Sequence, residues 1–404
     1  MAIQSAPHAS MRLTRRAALL GLTTAISFGR HALALGHAAT DKRFVVVIQR
    51  GAMDGLSAVV PYGDPALAGH RGELLLGEVG QPGGMLDLGG FYGLHPSLTG
   101  MHEMYQAGQM LPVHAVAGPY RVRSHFEAQD LLEYGADHSM TSGWLNRVAA
   151  LLPASGGASE TALAVGATVP LVLRGPSQVA SWLPKGFSQP EADLYQRIAA
   201  LHAHDPITGP AIRNGLAERG FTDGALSGMA GGTPQERYSF KALSASAGRL
   251  LAQPDGPRLA ALEIGGWDTH TAQKNRLVGP LKQLDEGMVA LKDAMGEAWQ
   301  HTVVLVMTEF GRTVRVNGTG GTDHGTGTVA FVMGGRVAGG RVQANWPGLA
   351  PGNLFENRDL QPTADLRSVT KGLLARHFGL EARALNTVFP DSAQASAMQG
   401  LLRV

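Results

Sequence analysis

Four short stretches of this sequence place acids or histidines directly behind apolar runs. They are RGAMDGL with Asp54, GGWDTH with Asp268 and His270, MTEFGRT with Glu309, and TDHG with Asp323 and His324. Carboxylates and imidazoles together suit a divalent cation. In an extended segment Asp268 and His270 point to the same side, a spacing able to chelate. If the apolar runs are parallel strands, all four stretches converge on one sheet edge, where α/β proteins keep their chemistry. Several unpaired carboxylates there would repel one another. Two divalent cations would remove that conflict, activate a nucleophile and stabilise an anionic transition state.

Each residue also has a plainer reading. Asp54 precedes a glycine and fits a turn. Asp323 and His324 fit a hydrogen-bonded loop pair. Glu309 behind a buried strand needs a partner of some kind. Ser124 is the candidate nucleophile, because a helix N-terminus favours an alkoxide; it also fits a simple helix cap. Arg121 and Arg123 flank it and suit an oxyanion. Arg312 fits either an anion clamp or an ion pair with Glu309. His95 and His125 read as structural histidines, and Trp144 and Trp267 as core or rim.

The elements that must position these groups alternate. Strands are expected at the start of the 43–56 run, which turns on Gly51, and at 111–118, 258–265, 301–311 and 328–335, with one or two more in 163–175. Helices are expected at 95–109 with its N-cap near Ser97, at 124–135 from Ser124 to Gly135, at 271–299 with a break at Gly279-Pro280, and at 363–380. This predicts an α/β fold: a doubly wound, mostly parallel sheet flanked by helices. A helical cap or insertion is expected near 186–254, within a single domain spanning 41–404.

The chain has 404 residues, 44% of them hydrophobic, enough for a sizeable core. It has no cysteine, which excludes disulfides, thiol nucleophiles and thiolate metal sites. The run TRRAALLGLTTAISFG (14–29), followed by small residues, reads as a twin-arginine export signal cleaved near Ala34 or Ala39. The expected location is therefore periplasmic or extracellular, with the Tat translocase as a transient partner. Lys and Arg exceed Asp and Glu by 34 − 32 = +2. Removing the first forty residues, which hold Arg12, Arg15, Arg16 and Arg30 and no acid, leaves 30 − 32 = −2. That balance gives no footprint for nucleic acid. No run beyond the leader is long enough to span a membrane.

RGAMDGL, LHPSL, VRSHFEAQD, SGWLNR, GGWDTH, MTEFGRT and TDHG, in that order, resemble the DUF1501 family of exported bacterial proteins in the alkaline phosphatase/sulfatase-like superfamily. The resemblance covers about 43–380. It implies two metal ions at the C-terminal sheet edge and a serine, threonine or modified cysteine nucleophile acting on phosphate or sulfate esters. By position it makes Asp54, Glu309 and Ser124 the surroundings of one metal, and Asp268, His270 and His324 those of the other. The chain departs from the pattern in three places. Glu309-Phe310 stands where phosphatases often have Asp-His. The first-site spacing is shortened to Asp268-Thr269-His270. Ala52 replaces a glycine usual in the family.

The resulting expectation is an exported metal-dependent hydrolase of phosphate esters, or less readily sulfate esters. Its cations would be two of Zn, Mn, Mg or Ca, with Ser124 as nucleophile and Arg123 holding the equatorial oxygens. The rivals are a non-catalytic protein of the same fold that binds an envelope polymer or partner, and a phospho-headgroup transferase.

Overall fold

The structure is a computed structural model, and it describes residues 37–38, 40–152, 154–155, 161–166, 168–184, 236 and 238–403. The expected export signal lies almost wholly outside these residues, as does most of the expected insertion.

Eight strands make the main sheet: β1 (Arg43–Gln49), β2 (Met110–Ala117), β3 (Ala162–Val165), β4 (Val179–Trp182), β5 (Leu259–Ile264), β6 (Thr302–Thr308), β7 (Thr328–Met333) and β8 (Ala364–Asp365). Their spatial order is β8-β2-β7-β6-β1-β5-β3-β4. Only β7 runs against its neighbours β6 and β2; every other pairing is parallel.

Among the helices are α1 (Gly55–Ala58), α2 (Thr99–Gln106), α3 (His125–Tyr134), α4 (Trp144–Leu151), α5 (Phe240–Ala252), α6 (Val278–Met295), α7 (Leu366–Phe378) and α8 (Ala382–Val388). β1 shows why both sheet faces need them. Its seven residues are all buried, with no polar face to give to water. Phe44, Val46 and Ile48 pack with Leu131 of α3, Trp144 of α4, Leu373 of α7 and Leu385 of α8. Val45 and Val47 join the opposite layer, with Met104 of α2, Leu250 of α5 and Leu284 and Met288 of α6. The sheet is therefore doubly wound, as the apolar runs predict.

On the second face α5 and α6 approach through glycines. A Cβ on Gly248 would lie 2.8 Å from Ala294 Cβ, and one on Gly287 would lie 2.3 Å from Phe240 Cδ1. α5 is the described part of the expected 186–254 insertion.

Several boundaries differ from expectation. The helix at 95–109 starts at Thr99 with Leu98, not Ser97, at its N-cap. The 163–175 run gives β3 and then a 3-10 turn at Leu171–Leu173. The long 271–299 helix is broken before Gly279-Pro280, into Gln273–Arg276 and α6. Pro280 falls in the first turn of α6, where its missing N–H breaks no bond. Among the described residues no helix is long and apolar enough to cross a membrane.

Strand direction decides where the side chains of interest go. β1, β5 and β6 end at the same edge, and so does β2, whose exit leads to α3. Because β7 is reversed, the TDHG loop before it starts from that edge too. The loops after β1 and β5 touch: a Cβ on Gly51, where φ is +118°, would lie 2.8 Å from the Asp268 backbone nitrogen. Only glycine suits both that φ and that contact.

Candidate metal centre

His125, Asp268 and His324 each place one ligand atom within 4.8 Å of the other two. Asp268 Oδ1 is the hub. His125 Nε2 and His324 Nε2 each lie 3.4 Å from it, and His270 Nε2 lies 3.0 Å away. His270 Nε2 is also 3.0 Å from His324 Nε2.

The far nitrogen of each ring fixes what the near one can do. His125 Nδ1 meets Glu309 Oε1 at 2.8 Å, His324 Nδ1 meets the Arg123 carbonyl at 2.7 Å, and His270 Nδ1 meets Asp323 Oδ1 at 3.1 Å. A carbonyl accepts only, and so does an ionised carboxylate, so the neutral His125 and His324 rings carry their proton on Nδ1, whereas His270 has a carboxylate oxygen at both nitrogens. The Nε2 atoms of His125 and His324 then present lone pairs, and all three Nε2 atoms face the Asp268 carboxylate. His125 Nε2 is buried and has no hydrogen-bond partner. Lone pairs aimed at one another and at an anion are a poor arrangement by themselves and a good one around a cation. The residues therefore fit a metal ion. Oxygen and imidazole donors without thiolate suit Zn or Mn better than Ca.

Charge around the hub is already arranged. Arg312 Nη1 donates to Asp268 Oδ1 at 2.7 Å, and Arg312 is itself buried. Burial works to raise the Asp268 carboxyl, but the Arg312 hydrogen bond and charge outweigh it, and the group stays below its usual range. The hydrogen bond to Glu309 raises His125 against the effect of burial. Burial lowers His324. The site opens to solvent on one side, with Asp268 45% and His270 41% exposed.

The TDHG loop is held onto the GGWDTH loop by Asn317. Its Nδ2 donates to the His270 carbonyl at 2.9 Å and to Asp323 Oδ1 at 3.0 Å, and its Oδ1 accepts from the Thr319 and Gly321 backbone. That second bond is the largest reason the Asp323 carboxyl sits low. Asp323 thus stands behind His270.

Four expected site residues lie elsewhere in the network. Asp54 is 1% exposed and caps α1. Arg71 grips it with two contacts at 2.5 and 3.1 Å, and Ser57 and Gln273 donate at 2.7 and 2.6 Å. Burial would raise this carboxyl, but the guanidinium holds it down. The Arg123 guanidinium pairs with Asp359 and Glu356, each at 2.7 Å, so only its carbonyl serves the centre. Ser124 occupies the N-cap position of α3 without a side-chain capping bond, and it is exposed. Glu309 lies behind His125. Arg312 pairs with Asp268 and not with Glu309.

Sequence reasoning missed His125, Arg71 and Gln273. His125 had one usable signal, its place at the first helical position beside Ser124. Nothing in spacing ties Asp54 to an arginine 17 residues later.

A family model described as "Protein of unknown function (DUF1501)" matches residues 104–389. The chain belongs to the DUF1501 family. The family match spans His125, Asp268, His270, Glu309 and His324, so the whole candidate centre lies inside it. No curated protein matches the chain. One solved structure with some likeness is the C-terminal periplasmic domain of EcEptC from Escherichia coli in complex with Zn. It is 9% identical, covers 75% of this chain and 76% of its own, and has a TM-score of 0.34. A likeness of that degree carries no weight for activity.

Proposed function

We propose that this DUF1501 protein binds one divalent cation through His125, His324, Asp268 and His270, and uses it to hold an anionic ligand of the cell envelope. The observation that carries this reading is the convergence of three imidazole Nε2 atoms on Asp268. The ligand would be a phosphorylated or sulfated polymer or small molecule, met after export by the twin-arginine route. A bound cation would supply a Lewis-acidic positive charge facing solvent. The chain's own residues do the rest. Arg312 holds Asp268 in place, and Asn317 holds the His270 loop. Arg358 donates to the His324 carbonyl at 2.8 Å and leaves its guanidinium 41% exposed at the rim.

A second reading, hydrolysis of phosphate or sulfate esters with Ser124 as nucleophile and two metals, is favoured by the free, exposed hydroxyl beside His125. It is the weaker one, because Asp54 and Glu309, which would surround the second metal, are both engaged with protein donors.

Metal analysis of the purified mature chain, with phosphate titration and p-nitrophenyl phosphate and sulfate turnover, separates the two. About one equivalent of metal is expected, lost in His125→Ala and His324→Ala, with phosphate bound only by the loaded protein. Turnover should stay at the blank. About two equivalents with turnover abolished by Ser124→Ala would sink the binding reading and establish the hydrolase.

A further inference from the structure

Glu309 is a carboxylate in an unusual position. Its side chain is 0% exposed, yet no lysine or arginine pairs with it among the described residues. Neutral donors surround it instead. Oε1 accepts from the Gly51 backbone at 2.9 Å, Gln129 Nε2 at 2.9 Å and His125 Nδ1 at 2.8 Å, and Oε2 accepts from Thr308 Oγ1 at 2.8 Å. A buried anion supported mainly by neutral groups is expensive unless a positive charge lies close by. The His125 ring is the bridge to such a charge, since its Nδ1 touches Glu309 and its Nε2 faces the candidate centre.

We infer that Glu309 is a positioning residue for the metal: it acts through His125, fixing the ring's tautomer and orientation, and its charge balances the cation without touching it. The inference rests on the metal-binding reading above. It differs from the family-based expectation, which made Glu309 a ligand. The elements explain why it reaches no further. Glu309 directly follows β6, and its carboxylate is tied to β1's exit through Gly51 and to α3 through His125 and Gln129. Of the three acceptors behind the histidines, it alone is a buried carboxylate. The Arg123 carbonyl carries no net charge, and Asp323 is 52% exposed. His125 is thus the most firmly set ligand, and His270 the least.

The test compares wild type, Glu309→Gln and His125→Ala by zinc competition against a chromophoric chelator and by the visible spectrum of the cobalt form. Wild type must bind first; if it does not, the metal-binding reading fails and this inference is not the cause. Glu309→Gln keeps an oxygen facing His125 but loses the charge. Its zinc affinity should fall roughly 10- to 100-fold, with the cobalt spectrum unchanged in shape. Unchanged affinity would reduce Glu309 to a structural role, and a spectrum showing a changed ligand set would make it a direct ligand; either overturns the inference. A measurement on zinc-loaded wild type covers the case where the variant fails to fold. Nitrogen-15 spectra of labelled histidine should show His125 protonated at Nδ1, and protonation at Nε2 would contradict the proposal.

Discussion

At the scale of single residues, one buried ion pair separates structure from binding. Asp54 sits under Arg71, Ser57 and Gln273, with no lone pair left idle. Asp54→Asn would strand the Arg71 guanidinium, which is 3% exposed. Removing one partner of such a pair costs about 3–5 kcal/mol. Urea denaturation should show that loss while the metal content stays that of wild type. Retained stability with lost metal would instead make Asp54 a ligand.

The same region shows what single residues revealed beforehand. The acids and histidines behind apolar runs were visible as chemistry, and the structure brings Asp268, His270 and His324 together. Their division into ligands and supports was not visible, because it depends on which side chain reaches first across loops far apart in sequence. Glu309 looked like a ligand by position, but the donors around it lie on β1's exit and α3. Ala52 is a departure whose meaning the backbone supplies: its φ is +59°, a left-handed conformation that glycine adopts freely and alanine does not.

At the scale of elements, apolar runs bounded by turns located the five strands that frame the centre, because strands covered on both faces are apolar at every position. Helix ends were less legible. Ser124 marks the start of α3, and Gly135, at φ +66°, marks its end. Ser97 resembled a cap by type alone. The reversal of β7 left no mark in its sequence, since an internal antiparallel strand is as apolar as a parallel one. Helix contact is equally hidden in small residues. Alanine for glycine inside a helix normally stabilises by about 1 kcal/mol. At Gly248 the added Cβ would lie 2.8 Å from the Leu291 carbonyl and from Ala294 Cβ. Gly248→Leu should therefore destabilise by roughly 1–3 kcal/mol or more, read as a lower melting temperature. A rise would show that α5 and α6 have room to separate.

At the scale of the whole molecule, three buried histidines set acid stability. Burial pushes His95, His114 and His377 down to about 4 from the ordinary 6.5. His114 shows why a proton is unwelcome. Its Nε2 donates to the Val59 carbonyl at 2.9 Å and its Nδ1 accepts from the Ala115 N–H at 2.8 Å, so a second ring proton would face an N–H. The unfolded chain takes up protons first as pH falls, so stability is full above 6.5 and is lost between 6.5 and 4. Each histidine accounts for up to roughly 3 kcal/mol. Urea midpoints of the metal-free protein should drop steeply from pH 7 to 5, and His114→Gln should flatten that slope. A midpoint constant over this range would refute the assignment.

The dispersion of the candidate ligands along the chain has a kinetic consequence. His125, Asp268, His270 and His324 are supplied by the start of α3 and by loops that meet only when β1 lies between β5 and β6 and β7 has turned back beside β6. Such long-range pairings form late, because loop closure precedes any reward from contact. No early fragment holds the full donor set, so a nascent chain cannot capture the ion with it before the final loop arrives. Capture would then act as a latch on the finished fold. It would slow unfolding more than it speeds folding, and the loaded protein would outlast the empty one by a margin set by free metal in its compartment.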